Sequence, residues 1–232
     1  MKNILIITTS HSELLNTDTT TGLWLGEFTE PYYYFIDKGY TITIANPKGG
    51  YPPIDPVSEL TENITSSNRR FQEDPEVKQR LQNAITLDEV DVSKFDGVFF
   101  PGGHGPMFDL ANNQTSASII NQMLVQGKPV ASVCHGPAAL IKAAEENPAL
   151  LVNKKVTGFS NAEEKLVLKD DTIPFFLEDA LKEKGGNYTS AALPFTTHVE
   201  VDGLLITGQN PMSSSKVAEE LDTILIEQTV IV

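Results

Sequence analysis

A doubly wound α/β fold, with a mostly parallel sheet, helices on both faces and a small inserted cap, is the architecture this sequence predicts. Three observations point there. Asn3-Ile4-Leu5-Ile6-Ile7-Thr8-Thr9 is a continuous apolar, β-branched run of the kind found in strands buried on both faces. A helix-compatible segment, residues 23–39, separates it from a second such run, Tyr40-Thr41-Ile42-Thr43-Ile44-Ala45, and strand–helix–strand is the repeat of parallel α/β proteins. Further on, Pro129-Val130-Ala131-Ser132-Val133 passes into the helix-forming run 138–147 across only Cys134-His135-Gly136-Pro137. The 232 residues suit one such domain, 1–232, with an insertion at about 46–75.

The polar stretch 10–21 reads as a loop. Helix 23–39 closes on Gly39, and Pro31 kinks it or restarts it. Pro and Gly cluster from Pro47 to Pro56, and a polar, helix-compatible stretch follows. A structureless loop of that length is rare inside a compact domain, so the segment is expected to pack as an insertion. Residues 76–84 suit a short amphipathic helix, Ile85-Thr86-Leu87 a strand or linker, Asp96–Phe100 a strand and 115–127 a helix. Lys155-Val156-Thr157-Gly158-Phe159 is expected to be a further strand, and 175–184 a helix ending at Gly185-Gly186. Val199–Thr207 suits a hairpin turning at Asp202-Gly203, and 213–228 the last helix.

Composition narrows the partners. A net charge of −14, from 31 acidic and 17 basic residues, argues against nucleic acid or an anionic membrane surface. No apolar run is long enough for a membrane helix, and a single cysteine excludes an internal disulfide framework. A cytoplasmic location is expected.

That cysteine, Cys134, falls where strand hands over to helix, between the small residues Ser132 and Gly136. Such a turn exposes a nucleophile, and a helix N-terminus would favour its thiolate. An isolated cysteine is more often a small apolar filler; the strand, the turn and the adjacent His135 together favour chemistry. Ligands of open α/β sheets bind beyond the carboxyl ends of the strands. The rule gathers Gly102-Gly103-His104, Cys134-His135, the 160–164 segment and Gly208-Gln209-Asn210 on one rim. Gly102 and Gly103 would let backbone N–H groups approach a reacting carbonyl, with the His135 N–H as a second oxyanion donor. His104 is a substrate contact or an ordinary loop histidine. His135 is a candidate base or thiolate stabiliser, oriented by Glu163 or Glu164. Glu27, among Leu25, Phe28 and Tyr32, would carry a raised pKa if held beside the sulfur, and could then move protons. His11, His104, His135 and His198 show no ligand spacing, so no metal and no other cofactor is expected.

Ala131-Ser132-Val133-Cys134-His135-Gly136-Pro137, Phe100-Pro101-Gly102-Gly103-His104-Gly105 and Thr207-Gly208-Gln209-Asn210-Pro211 together resemble the ThiJ/PfpI superfamily, also called the parkinsonism-associated deglycase superfamily. The similarity runs along nearly the whole chain and is strongest to its heat-shock-chaperone and glyoxalase III-like branch. It implies a flavodoxin-like, class I glutamine amidotransferase-like fold, Cys134 as nucleophile, Glu27 as the acid on the first helix, and a Cys134–His135–Glu164 triad. It also implies a cap at about 46–75 and a homodimer. The activity it implies is conversion of methylglyoxal or a related small 2-oxoaldehyde to the 2-hydroxy acid without glutathione or metal. Deglycase activity would use the same hemithioacetal chemistry. Three rival readings use the same residues. A stress chaperone needs an exposed apolar patch, a redox sensor needs an oxidisable Cys134, and a PfpI-type cysteine peptidase or amidase needs a triad histidine. His198-Val199-Glu200 has the spacing of a glutaminase His-x-Glu pair but precedes a strand instead of ending one.

Overall fold

The computed structural model describes residues 2–230. Its strands are β1 (Asn3–Ile7), β2 (Thr41–Asn46), β3 (Ile85–Thr86), β4 (Gly97–Phe100), β5 (Val130–Val133), β6 (Lys155–Val156), β7 (Asn187–Tyr188), β8 (Val199–Asp202) and β9 (Leu205–Gly208). The helices are α1 (Leu25–Asp37), α2 (Ser66–Glu73), α3 (Pro75–Gln82), α4 (Pro106–Asp109), α5 (Gln114–Val125), α6 (Ala139–Glu146), α7 (Asn161–Leu166), α8 (Leu177–Glu183) and α9 (Ser214–Val230). Seven strands form one sheet in the order β3-β2-β1-β4-β5-β9-β8, parallel throughout except for the β8–β9 edge hairpin. This is the mixed, mostly parallel flavodoxin-like α/β fold.

The apolar runs become strands because both faces of the sheet are covered. Leu5, Ile7, Val98 and Phe100 pack into the core beneath α5 and α6. Their neighbours Ile4, Ile6 and Phe99 point the other way, into the core beneath α1 and α9. Period-two alternation thus splits one continuous apolar run between two cores. Pro31 lies inside α1 and does not end it. Gly203 occupies the first central position of the β8–β9 turn at φ +63°, where a two-residue hairpin needs a left-handed residue.

One segment differs from the sequence expectation. Lys155–Phe159 does not join the main sheet. Only Lys155–Val156 is extended, paired with β7 in a separate two-stranded ribbon, because β9 occupies the place beside β5. The Phe159 N–H instead donates to the Cys134 carbonyl at 2.9 Å, carrying the chain directly across the β5 turn. In the 46–75 segment two short 3₁₀ turns, Pro56–Glu59 and Thr61–Asn63, lead into α2. That helix, capped by Thr65, packs on α1 through Phe71 against Phe28 and through Thr29 Oγ1, which donates to Asn68 Oδ1 at 2.6 Å.

The β5 turn is pressed against the end of β4. A Cβ on Gly136 would sit 2.2 Å from the Phe100 carbonyl oxygen, a backbone atom that cannot swing aside. Gly136→Ala is therefore expected to destabilise the protein by about 1–3 kcal/mol in urea unfolding. Unchanged stability would mean that the turn is free to move off β4.

Candidate active site

Cys134 follows β5 with φ +59°, a left-handed conformation that non-glycine residues rarely adopt and that concentrates at functional turns. Its backbone is held from both sides, the N–H donating to the Gly208 carbonyl at 2.9 Å and the carbonyl accepting from Phe159. The side chain is buried. After His135 the chain makes a 3₁₀ turn, Gly136–Ala138, so regular helix begins only at Ala139. The expectation that a helix N-terminus would ionise the thiol is overturned. Burial pushes the Cys134 thiol well above its usual pKa, and the neighbouring Glu27 carboxyl pushes the same way, opposed by a hydrogen bond from the Gly103 N–H.

Glu27 lies on the inner face of α1 and is fully buried. Oε2 accepts from the Gly102 N–H at 2.6 Å, while Oε1 has no N–H or O–H donor. Burial drives its pKa up to about 8, against the lowering effects of the Cys134 thiol and the Gly102 N–H. Near neutral pH the carboxyl therefore holds a proton, and Oε1, which accepts no hydrogen bond, is the oxygen free to carry it. Two acids so close in a dry site cannot both be charged, so they titrate as a pair.

The glycines divide their work. Gly102 uses its N–H on Glu27 and is not free to act as an oxyanion donor. Gly103 points its N–H at Cys134. Its φ is +82°, and a Cβ there would lie 2.1 Å from the Gly22 carbonyl oxygen, so only glycine fits.

On the other side of the sulfur, His135 Nδ1 stands 3.3 Å from Cys134 Sγ and Nε2 stands 2.8 Å from Glu164 Oε2. Burial first, and then the adjacent His104, lower the His135 pKa, leaving a neutral imidazole. With its proton on Nε2, bonded to Glu164, Nδ1 is the acceptor that faces the thiol. The other Glu164 oxygen takes His104 Nε2 at 2.7 Å. Burial opposes the charged form of Glu164, but the two imidazoles and their hydrogen bonds outweigh it and hold the carboxyl far below the usual range. Glu164, and not Glu163, orients His135. Glu163 instead closes the capping box of α7 with Ser160 and accepts from Asn210 Nδ2 and the Phe195 N–H, both at 2.8 Å.

His104 is thus neither a loose surface histidine nor only a substrate contact: it braces Glu164 and lies with its ring 4.1 Å from that of His135. Sequence reasoning missed this, since the partners are 60 residues apart and follow no spacing. The same three residues offer ligand atoms within 4.8 Å of one another, enough to suggest a metal, although the two imidazole–carboxylate hydrogen bonds account for the cluster. His198 bonds Thr189 Oγ1 at 2.8 Å and, among the described residues, is not in the lining of the cavity over Cys134. That cavity, about 480 Å³, is bounded by α1, the 55–65 segment, Gly103, His104, Cys134, His135, Phe159 and Phe195.

The DJ-1/PfpI family pattern matches residues 19–223. The chain belongs to the DJ-1/PfpI family. It is 26% identical over 230 residues to Glyoxalase 3 of Candida albicans, spanning 95% of this chain and 97% of that one. It is 25% identical over 226 residues to the glutathione-independent glyoxalase HSP31 of Saccharomyces cerevisiae, spanning 94% and 95%. Rapid Encystment Protein 24 kDa of Francisella tularensis superposes with a TM-score of 0.91 at 40% identity, covering 97% of this chain and 99% of that one. The crystal structure of Candida albicans glyoxalase III superposes at 0.86 with 26% identity, covering 96% and 97%. Among the described residues no helix is long and apolar enough to cross a membrane.

Two consequences can be measured on Glu27→Gln. Removing the carboxyl removes a charge that raises the thiol pKa, so Cys134 should titrate at lower pH than in wild type, read as thiolate ultraviolet absorbance; an unmoved thiol would refute the coupling. For stability, the folded pKa of about 8 exceeds the ordinary value of 4.5, so the folded state binds the extra proton between them. Wild type should therefore lose stability relative to Glu27→Gln as pH rises from 4.5 to 8. A gap independent of pH would place an ordinary carboxylate at Glu27.

Proposed function

We propose that this protein is a glutathione-independent glyoxalase, converting methylglyoxal and related 2-oxoaldehydes to 2-hydroxy acids. In the lyase classification this is a D-lactate dehydratase. The observation that carries the reading is Cys134 Sγ set between two groups of opposite protonation, the protonated Glu27 carboxyl and the neutral His135 Nδ1, at the floor of a cavity. The names borne by the Candida and Saccharomyces relatives agree with it.

The chemistry follows from where the protons sit. His135 Nδ1 takes the thiol proton as sulfur adds to the aldehyde carbon, C1. The new oxyanion forms next to the Gly103 N–H and takes the Glu27 proton, giving a hemithioacetal. Glu27, now a carboxylate, removes the hydrogen from C1, while His135 protonates the C2 oxygen, giving an enediol bound through sulfur. Glu27 returns its proton to C2 as His135 accepts the C1 hydroxyl proton, leaving a 2-hydroxyacyl thioester. Water then attacks the thioester, the thiol and the hydroxy acid separate, and the proton on His135 passes back to Glu27. The net reaction adds one water to the 2-oxoaldehyde. Glu164 and His104 keep the His135 tautomer fixed through each transfer.

The decisive assay is methylglyoxal turnover without glutathione, with chiral detection of lactate. Cys134→Ala should fall to the uncatalysed rate with its fold intact. Glu27→Gln should lose about 10²-fold or more in kcat, the usual range for a positioned proton-transfer group. Lactate formation by Cys134→Ala at the wild-type rate would end the proposal.

A further inference from the structure

The cavity over Cys134 is far larger than methylglyoxal requires. At about 480 Å³ it falls within the roughly 300–1,000 Å³ that enclose drug-sized ligands, whereas methylglyoxal carries only a methyl group beyond its two carbonyls. Away from the reacting groups its walls are largely apolar, built from Trp24, Ile64, Phe159, Val167, Phe195 and Met212. Two of the acids on the wall are already bonded within the protein. Glu30 accepts from Ser215 Oγ at 2.7 Å, and Asp55 accepts from Thr21 Oγ1 at 2.8 Å and the Val57 N–H at 2.9 Å.

A line of rings leads from the chemistry to the mouth. His135 lies 4.5 Å from Phe159, and Phe159 lies 6.1 Å from Phe195, distances at which aromatic groups attract. Phe195 ends this line, 39% exposed, with no regular secondary structure around it. Its backbone is left-handed at φ +57°, a conformation that a bulky residue rarely adopts. The strain is held by the Phe195 N–H on Glu163 Oε1, an oxygen also fixed by Asn210. Strained bulky residues of this kind concentrate at ligand clamps. Met212 faces the same space at 57% exposure.

Resting on the glyoxalase reading, we infer that the site is built for 2-oxoaldehydes whose second carbon bears a bulky apolar group, an aromatic ring above all, with Phe195 as a specificity-determining residue. The covalent steps do not change. Sulfur adds at the aldehyde carbon, hydrogen moves from C1 to C2, and water releases the 2-hydroxy acid; only the group on C2 is larger, and it lies along Phe159 and Phe195.

The test compares kcat/KM for phenylglyoxal and methylglyoxal in wild type, Phe195→Ala and Met212→Ala, with folding checked by circular dichroism. In wild type phenylglyoxal should be favoured by about 10-fold or more, the discrimination that even a small apolar increment produces in a fitted pocket. Phe195→Ala should lower that ratio at least about 5-fold, and Met212→Ala should lower it in the same direction. A wild-type ratio near one, or a ratio that neither variant moves, would overturn the inference while leaving the glyoxalase reading standing. Failure of folded wild type to turn over either compound would remove both.

Discussion

One buried pair of acids governs the site. Glu27 and Cys134 lie in dry, buried surroundings where a single negative charge is costly and two are prohibitive, so near neutral pH each keeps its proton. The fold provides one compensating donor to each, the Gly102 N–H to Glu27 and the Gly103 N–H to the sulfur. Both donors come from one loop after β4, and both need glycine because side chains there would strike Glu27 or the Gly22 carbonyl. The left-handed turn at Cys134 completes the arrangement by lifting the sulfur off the end of β5 toward α1.

Glu164 has the opposite environment. It too is buried, but it accepts two imidazole N–H groups and stays ionised, where Glu27 stays protonated. Pairs of like groups with pKa values pushed apart are how a fold obtains an acid and an ionised partner at one pH. Here the separation has a simple origin. Glu27 is given one strong donor and a reluctant thiol, whereas Glu164 is given two histidines. Glu163, its neighbour in sequence, is used for structure alone, tying α7 to the Phe195 segment and to the start of the last helix.

Much of this could be read from the chain. The strands of the sheet were legible because doubly buried strands need uninterrupted apolar runs, and the β5 turn because only small residues permit its approach to β4. Glu27 stood out as an acid on an apolar helical face. The rest was hidden for physical reasons. Lys155–Phe159 has the composition of a sheet strand, and only competition with β9 for the edge of β5 excludes it. A turn into a helix favours an ionised thiol, and burial beside a second acid, which no local run of residues reveals, reverses that preference. The brace between His104 and Glu164 joins distant loops and has no local signature. Phe195 lies in an irregular segment whose importance depends on strain, which composition does not reveal.

Infrared difference spectroscopy on the Glu27 carboxyl tests the central claim most directly. A protonated-carboxyl stretch should be present at neutral pH, fade as pH passes about 8, and be missing from Glu27→Gln. If wild type shows only carboxylate bands at neutral pH, Glu27 is an ordinary ionised acid and the account of a protonated carboxyl beside the thiol is wrong.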